Sequence, residues 1–201
     1  MLLCIGTAHR ACSLALTESD EVIASVHEVI GRGHAERLLP MVKDLLAGRT
    51  PDRLIVEVGP GSFTGIRVGV AAARALALAW EIPCQGVTSM QLLLQMAQTR
   101  DADWQTLTVL LDGGRGEVFR QSFDRGGSVL SQIEAVATAD VRIETDAMIG
   151  TGVTKISAPS AAISLGDDIP NVAYAAKISH AALVGNPQPL YIRPPDAKPP
   201  K

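Results

Sequence analysis

The segment GPGSFTGIRVG, Gly59 to Gly69, places the tightest limit on how this chain can fold. It joins an apolar run, RLIVEV at 53–58, to a long stretch of small and apolar residues. Pro60 stiffens the junction and the glycines open backbone conformations closed to other residues, which predicts a tight turn from a strand into a helix. Ser62 is placed to cap that helix, a contact worth about 1 kcal/mol. Glycine-rich turns of this kind often cradle phosphate, but two named forms are absent. A Walker loop needs GxxxxGK[ST], and no lysine lies between Lys43 and Lys155. A dinucleotide loop needs GxGxxG; Gly59 and Gly61 fit, but Thr64 stands where the third glycine belongs. The free N–H groups of the helix start are suited to weak anion binding. A ligand-free turn explains the same residues.

The elements around this turn predict a fold class. Strands are predicted at 2–6, 10–16 and 21–29, with short turns between them that imply an antiparallel meander. A helix follows at 34–47, then the strand at 53–58, a helix at about 62–80, a strand at 82–87 and a helix at about 89–97. The order β-β-β-α-β-α-β-α is that of an α/β, ribonuclease-H-like, actin-type half. Polar residues at 100–105 mark a boundary. Strands at 106–112 and 116–124 come next, and a helix is predicted at about 171–184. Three segments result: 1–103, a smaller region at 104–190, and a Pro-rich tail at 191–201, predicted to be extended with a disordered end.

Two helices carry more apolar surface than one sheet contact requires. In the 34–47 helix, Leu38, Leu39, Met41, Val42, Leu45 and Leu46 fill an arc of about 160°, where a stripe of roughly 100° would serve. Pro40 lies within it and removes a backbone donor, which predicts a kink or a late start. In the 62–80 helix, Gly65, Gly69 and Ala73 form a small-residue stripe, and Arg67 and Arg74 share the only charged side. Cover by this chain's own elements and cover by a partner protein both account for the surplus.

Composition narrows the function classes. Aromatics make up 3% of the residues and hydrophobics 47%, so the core is built from Ala, Val, Leu and Ile. A formal charge of −3 gives no general attraction to nucleic acid. The three cysteines are far apart and read as buried, reduced thiols. The chain opens with no secretory leader, and its longest apolar stretch is interrupted by Arg67 and Arg74, so a cytoplasmic protein without a membrane span is expected. The histidines are scattered, and His34 has Leu38 rather than histidine at i+4, so no metal pair forms. Asp112 and Glu117 flank a glycine turn, as paired carboxylates or as brackets of a hairpin. Ser13, Ser62 and Thr64 lack a recognisable base. The residues offer no strong catalytic constellation.

Four blocks in order, HAERLLPMVKDLL, GPGSFTGIRVGVAAARALA, LLDGGRGEVF and PLYIRPPDA, resemble the bacterial TsaB (YeaZ) family, with the weakest agreement over about 125–170. The signature loop is Gly59, Pro60, Gly61, Ser62, Phe63, Thr64 and Gly65. The resemblance implies an actin-like (ASKHA) fold with two subdomains. It also implies a part in making N6-threonylcarbamoyladenosine (t6A) next to the anticodon of tRNA. In that family the protein is not the catalyst: it pairs with the TsaD-type paralogue, which binds metal and nucleotide, and a TsaE-type ATPase joins the complex. Contact with tRNA is then indirect, and no cofactor, metal or catalytic residue is expected in this chain.

The family's contact is a helical bundle of the first two helices, here 34–47 and 62–80. The expected interface is His34, Arg37, Leu38, Met41, Val42, Leu45, Gly65, Gly69, Ala73 and Leu76, and isolated copies are expected to pair as homodimers through it. Two positions depart from the family. Gly6-Thr7 stands where Asp-Thr is usual, and Glu57 stands where glycine is frequent. A carboxylate at 57 would repel phosphate. A nucleotide-dependent actin-like enzyme is the alternative, and a glycoprotease-like metallopeptidase a third reading that the missing histidine opposes.

Overall fold

The computed structural model describes residues 1–156 and 161–193. Most of the Pro-rich tail, 194–201, therefore lies outside the described residues. The chain opens with β1 (Leu2–Gly6), β2 (Ala11–Glu18) and β3 (Glu21–Val29), followed by α1 (His34–Leu46) and β4 (Arg53–Glu57). Then come α2 (Phe63–Trp80), β5 (Cys84–Val87) and α3 (Ser89–Gln98). β1, β2 and β3 form the antiparallel meander, with Cys4 opposite Ala15 and Leu14 opposite Val26. β4 adds parallel to β1, and β5 parallel to β4.

Strand alternation sorts the side chains of this sheet onto two faces. Leu3, Ile5, Leu14, Leu16, Leu54 and Val56 join Leu38, Val42, Ile66, Val70 and Ala73 of α1 and α2 in one core. Leu2, Cys4, Ala15 and Ile55 point the other way and pack with Leu92 of α3 and with Val172 and Ala175. α3 opens with a full capping box, Thr88 and Gln91 bonding each other's backbone, and carries Leu93 and Met96 into a further core with Trp104, Leu107 and Phe123. That core belongs to a second sheet. Its strands are β6 (Thr106–Gly114), β7 (Glu117–Asp124), β8 (Glu134–Ala137), β9 (Ala147–Ile149) and β10 (Ile163–Ser164), in the order β10-β9-β6-β7-β8. Asp112 and Glu117 bracket the β6–β7 hairpin, as one of the two sequence readings had it.

Two expectations change. α1 starts at His34 despite Pro40. Pro40 lies on the exposed side, where the carbonyl it leaves unbonded can be solvated. The helix expected at 171–184 is instead two short 3-10 segments, Val172–Lys177 and His180–Ala182, and then β11 (Val184–Gly185), which pairs with β5. Asn171 caps the first segment and is also held by the Ser13 hydroxyl. Ile178 turns to extended backbone and packs against the sheet, so a continuous helix cannot satisfy both contacts. Residues 171–185 thus rejoin the first sheet after the second has been built.

Candidate functional site

The loop from Gly59 to Gly65 folds against the end of β1, with Ser62, Thr64 and Gly65 at the edge of a polar cavity. The Ser62 N–H donates to the Ala8 carbonyl at 2.7 Å, and the Ser62 hydroxyl accepts from the Gly65 N–H at 3.3 Å. The Thr7 hydroxyl donates to the Gly65 carbonyl at 2.7 Å. The approach is close enough to require glycine. A Cβ at Gly61 would lie 2.3 Å from the Ala8 carbonyl oxygen, one at Gly65 2.1 Å from that of Thr7, and one at Gly69 2.4 Å from the Thr7 hydroxyl oxygen. The small-residue stripe of α2 is therefore filled by the backbone and side chain of this chain's own β1 end.

This changes the meaning of several expected interface residues. Leu38, Met41, Val42 and Ala73 are buried in the first core, and Gly65 and Gly69 are sealed under Thr7. Their apolar character is satisfied within the chain. His34, Leu45 and Leu76 are half-buried, and Arg37 is exposed and paired with Glu28 at 2.6 Å. The outward face of α2 is a different set, which the sequence reading missed: Phe63, Arg67, Ala71, Arg74, Ala75 and Leu78. Leu78 is 81% exposed, Phe63 43%, and Leu39 on α1 52%. The seven-residue spacing of Arg67 and Arg74 was the signal for this face.

Glu57 is buried beneath the loop. Its carboxylate accepts from the Ser89 hydroxyl at 2.7 Å and the Ala8 N–H at 3.3 Å, and His9 Nε2 stands 3.4 Å away. A Cβ at Gly6 would lie 3.0 Å from that carboxylate and 2.6 Å from Val172. The two departures, Gly6 and Glu57, are thus neighbours in space. The carboxylate reaches the end of β1 from the adjacent strand.

A polar cavity of about 750 Å³ opens between the two sheets, bordered by His9, Arg32, His34 and Thr64 on one side and Asp112 and Lys155 on the other. Lys155 pairs loosely with Asp112 at 3.7 Å. Among the described residues no group of three or more His, Cys, Asp or Glu is arranged to hold a metal ion. Burial pushes the Cys4 thiol up to about 12 and those of Cys12 and Cys84 to about 11, so the thiols stay protonated at neutral pH. Ser13 lies within 3.0 Å of His27 Nδ1, but Ser13 is itself buried and is hydrogen-bonded to Asn171, anchoring the 3-10 segment.

The family model for TsaD, tRNA N6-adenosine threonylcarbamoyltransferase, matches residues 20–179. The chain is 35% identical over 131 residues to the tRNA threonylcarbamoyladenosine biosynthesis protein TsaB of Escherichia coli, covering 62% of this chain and 55% of that protein. With the Bacillus subtilis TsaB it shares 30% over 137 residues, 66% of this chain and 58% of the other. The matches span little more than half the length of these relatives. The solved structure of YeaZ from Pseudomonas aeruginosa superposes with a TM-score of 0.79 at 28% identity, covering 94% of this chain and 98% of that one. A second Pseudomonas aeruginosa structure, described as an uncharacterized protein similar to peptidase YEAZ, gives 0.80 at 28% identity, covering 96% and 99%. The two-sheet α/β architecture is the actin-like one, and the chain belongs to the TsaB (YeaZ) family.

Proposed function

We propose that this chain is a non-catalytic scaffold that pairs with a TsaD-type enzyme and activates it for threonylcarbamoyl transfer to tRNA adenosine. The observation that carries this reading is the outward face of α2, beside Leu39 of α1. There Leu78 and Leu39 stand largely in solvent, and Phe63 keeps an exposed edge beside Arg67 and Tyr191. Exposed apolar surface on helices already seated on a sheet is the mark of a docking face. The signature loop supports the same reading, since its glycines serve close packing and its Ser62 and Gly65 N–H groups are already bonded. A TsaE-type ATPase completes the assembly, tRNA is met through the enzyme, and the protein works in the cytoplasm. α2 also has the length and apolarity of a membrane span, with a mean hydropathy of 1.3. Its inner face, however, is seated on the first sheet and its outer face carries two arginines.

Co-expression with the TsaD-type enzyme of the same organism tests the proposal. The two proteins are expected to co-purify, and Leu78→Asp is expected to weaken the pair with the fold intact. Leu78 has no core contacts to lose, so an unchanged complex would remove α2 from the interface. The cleft between the sheets favours a second reading, a nucleotide-dependent enzyme. Calorimetry with ATP and magnesium separates the two, because turnover by the isolated chain would end the scaffold reading.

A further inference from the structure

On α2 the residues Phe63, Arg67, Ala71, Arg74, Ala75 and Leu78 share an arc of roughly 120° at 100° per residue. Two guanidiniums stand out within it. Arg67 is held in place by two groups: it lies 3.6 Å over the Phe63 ring and its Nε donates to the Tyr191 hydroxyl at 2.7 Å, with the two rings 5.0 Å apart. These contacts occupy the face and the Nε of the guanidinium, and its terminal nitrogens have no hydrogen-bond partner among the described residues. Arg74 follows two turns later. Among the described residues neither arginine has a carboxylate within ion-pairing distance. The first acidic residue along α2 is Glu81, at its C-cap. A fixed arginine fork with free terminal N–H groups is suited to a bidentate carboxylate.

Resting on the scaffold reading, we infer that this stripe docks a partner α-helix bearing two carboxylates seven residues apart, one for each arginine. Apolar side chains between those carboxylates would seat on Ala71, Ala75 and Leu78. A second copy of this chain is a poorer fit. It would bring four arginines to the contact against two Glu81 carboxylates, and like charges in a contact are unfavourable. The face therefore selects an acidic helix over itself.

The test titrates the TsaD-type enzyme against the wild-type chain, Arg67→Gln, Arg74→Gln and the double variant, at low and high salt. The wild-type Kd is expected to weaken about tenfold or more with salt, each single variant by about fivefold at low salt, and the double variant to lose the salt dependence. Equal affinity and equal salt slope in all four proteins would overturn the inference while the scaffold reading stood. No binding by the wild type would instead remove the reading on which it rests. Arg67→Gln also frees Tyr191, so Arg74→Gln, which breaks no hydrogen bond or ion pair among the described residues, is the decisive single variant. Sedimentation of the isolated chain adds a further check: self-association tighter than enzyme binding would count against selection for an acidic helix.

Discussion

Gly6 and Glu57 form a pair that neither position explains alone. Glu57 is taken out of water, yet its carboxylate has the Ser89 hydroxyl, the Ala8 N–H and His9 around it, and a buried carboxylate is tolerated only with such partners. Together with Val172, it fills the space a side chain at position 6 would need. Gly6→Asp alone is therefore expected to destabilise by about 2 kcal/mol or more, from crowding and from a second buried carboxylate beside the first. Glu57→Gly combined with Gly6→Asp should recover part of that loss. A urea-denaturation double-mutant cycle checks it, and additive effects would mean the residues are not coupled. His27 supplies a pH prediction. Burial holds its pKa below the usual 6.5, with the Glu57 charge opposing weakly. The unfolded chain then binds the proton more readily than the folded one. The stabilisation is complete above about pH 6.5 and is lost as pH falls through that value toward the folded pKa. His27→Gln should flatten the stability profile between about pH 7.5 and 5.5 relative to wild type, and a parallel profile would refute the assignment.

The three α-helices were legible from the sequence in place and length, unlike the helix expected at 171–184, but the direction in which they face was only half legible. Periodicity located α1 and α2 to within a residue or two because each carries a strong apolar stripe. What periodicity cannot show is which neighbour covers a stripe. Gly65, Gly69 and Ala73 announce a close approach, and a partner helix and this chain's own Thr7 satisfy that requirement equally well in sequence. The structure gives the contact to Thr7, so substitutions there should act on folding. Gly65→Ala in an exposed helix would be stabilising by about 1 kcal/mol. Here the added methyl meets a backbone carbonyl that cannot yield, and a net loss of about 1–3 kcal/mol is expected by thermal unfolding. Leu38→Asp belongs to the same group. It places a charge in the first core and should unfold the chain, whereas Leu78→Asp should leave the melting curve in place and act on pairing alone. Equal melting curves for the two variants would contradict the burial described for α1.

At the scale of the molecule, the second sheet was the least legible part, because its order depends on strands too short to show a pattern. β9 has three residues and β10 two; β9 pairs in parallel with β6 from far along the chain, and β10 in parallel with β9. Even less visible was how the two sheets are joined. The chain's last described residues run across both. The Leu190 N–H donates to the Val58 carbonyl at 2.8 Å, and its side chain packs on the first core, while Ile192 packs on the second. Arg193 reaches the β6–β7 hairpin, pairing with Glu117 at 2.8 Å and bonding the Gly113 carbonyl. This strap, and the return of residues 171–185 to the first sheet, hold the sheets in register across the polar cleft. The strap's two anchors sit in different cores and share no partner, so their effects should add. Leu190→Ala and Ile192→Ala are each expected to cost about 1–2 kcal/mol, since each is only partly buried, and the double variant about the sum. The signature of a strap, as distinct from two ordinary packing residues, is where protection is lost. In the double variant amide hydrogen exchange should accelerate at the β6–β7 hairpin and along residues 58–62 before it does so in β1 or β2. Uniform acceleration through both sheets would mean that these residues contribute to global stability alone and that the lobes are held in register by the 171–185 return.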